Sequence, residues 1–428
     1  MNIIIDNIML KKYFSPLALI FSISVLLFVI FKAEFINNGT KFYYYKYYYY
    51  ISFILILFSF LSFLLSEKIK QYLIIVGISS LITFYIYEFY LSLNAYKQIT
   101  ERSRNILYEE EKAKSNKLVT ITVSPGNFLN DDLKVFPLSG MSNAFTLHCD
   151  ENGYMSKYMS DRFGYNNPDD EWDKQNIKFF ITGDSIVGGA CVNRRDDITS
   201  ILRTKTNSGA IQVGYGGNAP LIEYAALREY MSPSMNVENI IWVFAELNDI
   251  EGLNHELDNK ILKNYITDLE FTQNLKDKQN IVDEIINKYI SDKKHYEADN
   301  QRINEFSLQN KIKLFFKLYY LRNSIIKPKV NNDFKNIIIL AKNLADKKKS
   351  KFHFVYMPTK ERYSSLYYDN SNYIKIKKMI NDLNINFIDV HKDIFLNEKD
   401  PVSLFSKYGH YTVEGYEKIA DLILKNTK

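Results

Sequence analysis

Cysteine is almost absent from this chain: Cys149 and Cys191 are the only two in 428 residues. That scarcity excludes a small disulfide-built scaffold. No Cys-x-x-Cys or His-Glu-x-x-His spacing occurs either, so no metal or cofactor is expected. Charge of one sign is equally scarce as a block. The 54 Lys+Arg and 49 Asp+Glu are interspersed and leave a net charge of +5. With no basic patch, nucleic acid is not an expected partner. Glycine and proline number only 16 and 9, and neither occurs between Gly252 and Pro328. That interval is amphipathic and charged and reads as a helical insertion at about 253–330. Two roles stand open for it: a cap over a site, or a solvated excursion or oligomer contact. The oligomeric state is not legible.

Long apolar runs are present, and they crowd into the first hundred residues. Tyr13–Phe31, Tyr47–Leu65 and Tyr72–Leu93 each approach the ~20 residues that span a bilayer, so residues 1–95 read as an anchor of three transmembrane helices. Lys11 and Lys12 precede the first run, and Lys68 and Lys70 lie between the second and third. They place the N-terminus in the cytoplasm, while Lys41 and Lys46 pull the other way. Three crossings carry everything after Ala95 to the outer, periplasmic side of the inner membrane. The tyrosines at 43–45 and 47–50 read as an interfacial belt. Glu88, near the outer end of the third run, reads as a snorkelling acid.

Residues 96–145 read as a charged linker and an irregular lead-in. From Ile177 onward strands and helices alternate. Strands are expected at Ile177–Thr182, Ile211–Tyr215, Asn239–Glu246, Phe352–Met357 and Asn386–Val390. Helices are expected at Asp196–Thr206, Leu221–Met231, Asn332–Lys348, Tyr373–Asn384 and Thr412–Asn426. Such alternation specifies a parallel sheet covered by helices on both faces, the three-layer α/β/α class. Sites in this class lie beyond the carboxyl ends of the strands.

Four short blocks fall at such ends. Gly183-Asp184-Ser185 closes the first strand, Gly216-Gly217-Asn218 follows the second, and Asn248-Asp249 follows the third. His410 stands just before the last helix, which Thr412 is placed to cap. A serine hydroxyl needs a base to take its proton, and His410 is the best placed of the six histidines. His391 is its rival; His353, inside a strand, reads as packed. The backbone N–H groups of Ser185 and Gly217 and the amide of Asn248 are candidate oxyanion donors.

This ordered set resembles the SGNH, or GDSL-type, esterase and lipase superfamily over roughly residues 146–428. The stretch Ser160–Pro168 resembles the lead-in of its membrane-anchored, envelope-polysaccharide-related members. The resemblance implies a flavodoxin-like α/β/α hydrolase domain. It also implies a substrate carrying O-acyl groups, most often acetyl, on envelope carbohydrate or lipid. Two positions depart from the family pattern. Glu246 stands where the asparagine block begins with glycine, and Lys407 stands where the catalytic acid lies, three residues before the histidine. An ammonium cannot accept the imidazole proton, so a backbone carbonyl or an acid from elsewhere must do so. Asp389, Asp393 and Glu414 are candidates. The nearby Lys407 cation is expected to lower the His410 pKa. Cys149 and Cys191 either form a disulfide, favoured by an exported compartment, or are unrelated small apolar residues. An ester hydrolase is the reading that follows. An O-acyltransferase with the same acyl-enzyme, and an inactive glycan-binding scaffold, are its alternatives.

Overall fold

The computed structural model describes residues 8–36, 42–95, 104–114, 118–246, 248–292, 308–325, 329–330, 332–365 and 368–428. The chain forms two compact units. One contains Met1–Lys97 and Leu308–Ile326; the other contains Gln98–Ser307 and Lys327–Lys428. The unit boundaries therefore cut through the insertion expected at 253–330 and place its later helices with the N-terminal ones.

The first unit is helical. Ile8–Ile30 runs into a π-helical turn at Phe31–Ile36, and Phe42–Ser62 and Glu67–Ala95 follow. Two stretches, Tyr13–Ile36 and Glu67–Ser92, are long and apolar enough to cross a membrane. Phe42–Ser62 has the length of a span, and tyrosines fill much of its first half. Apolar side chains such as Phe21, Ile54 and Ile86 face outward, while the hydroxyls of Ser22 and Ser59 meet between two helices at 2.7 Å. Small polar contacts of this kind hold helices together where apolar burial cannot. Of the residues used to orient the anchor, Lys41 and the side chains of Lys11, Lys12, Tyr43 and Tyr44 lie outside the described residues.

Glu88 does not snorkel. It is fully buried, and its carboxylate accepts the backbone N–H groups of Tyr320 and Leu321 at 3.0 and 2.7 Å. These are first-turn donors of the helix Tyr319–Ile325, which has no earlier carbonyls to satisfy them. The sequence reading failed here because the partner is more than 230 residues away.

The second unit holds two sheets. The smaller has β1 (Val119–Ile121) parallel to β2 (Phe145–Leu147), which pairs antiparallel with β3 (Lys157–Met159). The larger is a five-stranded parallel sheet. Its strands are β4 (Asn176–Gly183), β5 (Gly209–Gln212), β6 (Asn236–Ala245), β7 (Lys351–Met357) and β8 (Asn386–Asp389), in the spatial order β5-β4-β6-β7-β8.

Buried on both faces, these strands are almost continuously apolar. Side chains alternate between two cores. On β6, Ile240, Trp242 and Phe244 enter one core, and Ile241, Val243 and Ala245 the other. The first core is closed by helices Pro220–Tyr230 and Asn332–Lys348, and the lead-in residues Val119, Ile121 and Phe128 belong to it. The second is closed by Ile198–Thr206 and Val413–Asn426. The expected strands and helices from Ile177 onward are present with ends within two or three residues. The lead-in consists of short strands and turns and packs into the first core through Val119, Ile121 and Phe128. After β4 the chain moves to one side of it for β5 and then to the other for β6. The carboxyl end of β4 is thus the switch point, where parallel α/β sheets open a crevice.

Candidate active site

Ser185 stands at that switch point because of the two residues before it. Gly183 ends β4 where a Cβ would lie 2.8 Å from the Val243 carbonyl oxygen and 2.6 Å from a Val187 methyl, so only glycine allows the close approach. Buried Asp184 then accepts the N–H of Ile186 at 2.8 Å, folding the chain sharply. Ser185 projects from this bend. The turn is closed by Ala190 N–H on the Ser185 carbonyl at 2.9 Å.

His410 comes from a second tight turn. Ser406 N–H donates to the His410 carbonyl at 2.7 Å, Phe405 and Tyr411 bridge antiparallel, and Gly409 takes φ +117°. Thr412 caps the following helix by accepting Gly415 N–H. Lys360 ties the turn from the side, donating to the carbonyls of Ser406 and Lys407 at 2.8 and 2.9 Å. The result places His410 Nε2 3.0 Å from Ser185 Oγ.

The other ring nitrogen meets Glu151. Its Oε1 lies 2.6 Å from His410 Nδ1, while Oε2 accepts the Ser406 hydroxyl at 2.5 Å and His410 N–H at 3.3 Å. One carboxylate therefore grips the imidazole and both ends of the turn that carries it. None of the acids considered from sequence does this. Asp389 is engaged by Tyr373 Oη, Lys377 Nζ and Lys392 N–H. Glu414 pairs with Lys418 at 2.9 Å. Asp393 has no side-chain contact with His410; its carbonyl accepts from Asn397. His391, the rival base, is bonded to Tyr363 Oη at 2.7 Å, and His353 is buried between Asn239 and Asn386.

Burial pulls the His410 pKa down, but the hydrogen bond and charge of Glu151, helped by Asp184, outweigh it and raise it above the ordinary value. This reverses the direction expected from Lys407. The ammonium of that lysine lies 5.0 Å from the centre of the Tyr408 ring. Burial raises the Glu151 pKa, yet its contacts with His410 and Ser406 outweigh it and hold the carboxyl below its ordinary value. Both directions favour the same charged pair, an imidazolium held by a carboxylate. The side chain of His410 is 28% exposed and that of Glu151 10%, so a substrate can reach the base but not its partner easily.

Glu151 was missed because it lies 259 residues before His410, in the turn between β2 and β3, where no local spacing points to it. A signal was nevertheless present in the two cysteines. Cys149 and Cys191 form a disulfide that joins this turn to the nucleophile loop. Asn152 adds two bonds, donating to the Cys191 carbonyl at 2.9 Å and the Tyr411 carbonyl at 3.2 Å. The lead-in stretch Ser160–Pro168 docks beside it, with Asn166 on the Gly188 carbonyl and Asn167 paired with both backbone groups of Gln212 on β5. Cys149, Glu151, Cys191 and His410 offer ligand atoms within 4.8 Å of one another, but the disulfide occupies both sulfurs.

The other candidate oxyanion donors come from the turn after β5 and from the first residue of the helix Asn248–Glu256. Asn248 Nδ2 is 3.4 Å from Asp184 Oδ2, which is itself 3.4 Å from Ser185 Oγ. Gly217 takes φ +81°, and a Cβ there would lie 2.1 Å from Ser124 Oγ. Glu246 is buried at the end of β6 and forms a two-pronged ion pair with Arg362 from the short helix Glu361–Ser364 after β7. It fastens the segment that runs from β6 to the helix Asn248–Glu256.

No family model matches this chain, and no curated protein does. Among solved structures it is similar to an acetyl xylan esterase, at 14% identity over 58% of this chain and 98% of that one, with a TM-score of 0.34. It is similar to a protein from Desulfitobacterium hafniense DCB-2 named as lipolytic and of the G-D-S-L family, at 12% identity over 59% and 99%, TM-score 0.30. A protein from Bacteroides fragilis NCTC 9343 named as an acylhydrolase gives 13% identity over 60% and 87%, TM-score 0.32. Such identities and TM-scores are too low to carry function across, so the function of this chain rests on its own Ser185–His410–Glu151 geometry.

Proposed function

We propose that this chain is a membrane-anchored serine esterase that removes O-acyl groups, acetyl foremost, from cell-envelope carbohydrate through an acyl-enzyme on Ser185. The single observation that carries the reading is the hydrogen-bonded series Ser185 Oγ, His410 Nε2, His410 Nδ1, Glu151 Oε1, at 3.0 and 2.6 Å across the outer two contacts. It is the arrangement of nucleophile, base and orienting acid that acyl transfer requires. In this reading Glu151 supplies the acid missing at Lys407, which supports an active enzyme over an inactive scaffold.

In this reading His410 Nε2 takes the Ser185 proton as Oγ attacks the ester carbonyl carbon. Glu151 holds the imidazolium that forms. The backbone N–H groups of Ser185 and Gly217 and the Asn248 amide receive the oxyanion. His410 then returns the proton to the departing sugar oxygen. Water, deprotonated by the same nitrogen, attacks the acyl-enzyme and releases the carboxylic acid and free Ser185. The acetyl and envelope-carbohydrate parts of the proposal come from the sequence resemblance, and the three-span anchor from the apolar runs.

Turnover of p-nitrophenyl acetate by the full-length chain in detergent tests the reaction class. The wild type is expected to hydrolyse it, and Ser185→Ala and His410→Ala are each expected to lose at least about 10³-fold in kcat. Equal rates in wild type and Ser185→Ala would refute the proposal.

A further inference from the structure

We propose that the Cys149–Cys191 disulfide is a positioning device for catalysis: it holds Glu151 against His410, so its reduction uncouples the acid from the base. The inference rests on the esterase reading and deepens it.

Four observations converge on this bond. Cys149 lies two residues before Glu151, and the bridge ends at Cys191, six residues after Ser185. Cys191 Sγ also lies 3.5 Å from His410 Nδ1, the atom that Glu151 contacts. Cys191 takes φ +65°, a left-handed backbone that a side chain disfavours and that surrounding contacts must hold. Among the described residues, the other ties between the turn carrying Glu151 and the catalytic loops are noncovalent. Ser156 N–H closes it on the Cys149 carbonyl at 2.8 Å, a bond internal to the turn. Beyond Glu151 itself, Asn152 supplies two hydrogen bonds to those loops, Lys157 N–H donates to Asn193 Oδ1 at 3.3 Å, and the Tyr154 hydroxyl accepts from the Asn193 backbone. The acid is thus not built into a strand or helix of the main sheet. It is brought to the base by a short turn and fastened there covalently.

Reduction has a simple balance. A phosphine takes the Sγ–Sγ bond apart, each sulfur gains one electron and one proton, and the phosphine leaves as its oxide with oxygen from water. Two thiols then stand beside Glu151 and His410. The turn keeps its fold-internal hydrogen bond but loses its covalent tie, and Glu151 samples positions away from the imidazole. Two consequences follow for the base. Its tautomer and orientation are held less of the time, which lowers kcat. The contact that raises its pKa weakens, so it stays neutral, and active, to lower pH. A disulfide that served stability alone would lower the melting temperature without moving the pH profile.

The test uses the full-length chain in detergent, with a chelator throughout because the freed thiols, Glu151 and His410 would offer four metal ligands. Rates on p-nitrophenyl acetate are measured across pH before and after phosphine reduction, with two alkylatable thiols confirmed by mass. Reduction is expected to lower kcat at least about tenfold, below the ~10⁴-fold ceiling for losing the orienting acid. KM should change little, the acid limb should move to lower pH, and re-oxidation should restore both. In Glu151→Gln, already slow, reduction should change kcat by less than about twofold, because two changes to one coupled unit do not add. An unchanged kcat and pH profile in the reduced wild type would overturn the tether while leaving the esterase reading intact. So would an equal further loss on reducing Glu151→Gln, since the bond would then act elsewhere. An oxidised wild type that turns over no ester, or turns it over without Ser185, would overturn both.

Discussion

At the scale of single residues, the exchange of roles between Lys407 and Glu151 decides whether this site is alive. Lys407 stands three residues before His410, yet a carboxylate arrives from 259 residues away and meets His410 Nδ1 at 2.6 Å. Glu151→Gln keeps the shape but offers an amide in place of a charge, so kcat is expected to fall between about 10- and 10⁴-fold. Glu151 raises the His410 pKa. Activity requires the neutral imidazole and is lost as pH falls through that raised value. Without the carboxylate the pKa drops, and the acid limb of kcat/KM should shift to lower pH. A pH–rate profile of the variant checks the sign; a shift to higher pH would contradict it. Lys407→Asp, by contrast, should change kcat within about fivefold, the scale of an exposed charge worth 1 kcal/mol or less. Ser185 and His410 were legible because each sits in a local signal, a Gly-Asp-Ser bend and a turn ahead of a capped helix. Glu151 was not, because the contact is made by tertiary folding alone. The same holds for Glu88, whose partners at Tyr320 and Leu321 no sequence window could include.

At the scale of elements, the strands of the main sheet were legible because burial on both faces makes them continuous apolar runs between polar helices. Their carboxyl ends also located Ser185, Gly217 and Asn248. Less legible was Leu118–Leu147, where β1 and β2 are only three residues each and alternate no pattern long enough to read. Glu246 read as a mild departure from the family; the fold makes it a fastening between the ends of β6 and β7. Its carboxylate accepts from Arg362 Nε at 2.9 Å and from Nη2, and the two side chains are only 2% and 4% exposed. Removing one partner strands a buried charge, at a cost of about 3–5 kcal/mol. Glu246→Gly, although it restores the family's residue, and Arg362→Ala are therefore both expected to lower the melting temperature, on the order of 10 °C. Thermal unfolding of the two variants checks this, and an unchanged midpoint in either would show that the pair is replaceable by solvent.

At the scale of the whole molecule, the chain divides its work between a helical unit and an α/β/α unit. Two stretches of the helical unit, Tyr13–Ile36 and Glu67–Ser92, have the length and apolarity of spans. The proposal of three crossings adds Phe42–Ser62 and sends the catalytic unit outside. A reporter fused after Lys428 is expected to behave as exported, and a cytoplasmic signal would mean that only two of the helices cross. The disulfide accords with that placement, since an oxidising compartment preserves it. The central claim, that Ser185 is a nucleophile activated through His410 and Glu151, is tested most directly by a fluorophosphonate, which reacts with an activated serine and needs no known substrate. Peptide mapping of the labelled full-length chain should find a single adduct, on Ser185. It should be absent in Ser185→Ala and His410→Ala, and formed at least about tenfold more slowly in Glu151→Gln. An adduct on any other residue, or labelling of wild type no faster than of His410→Ala, would contradict the account.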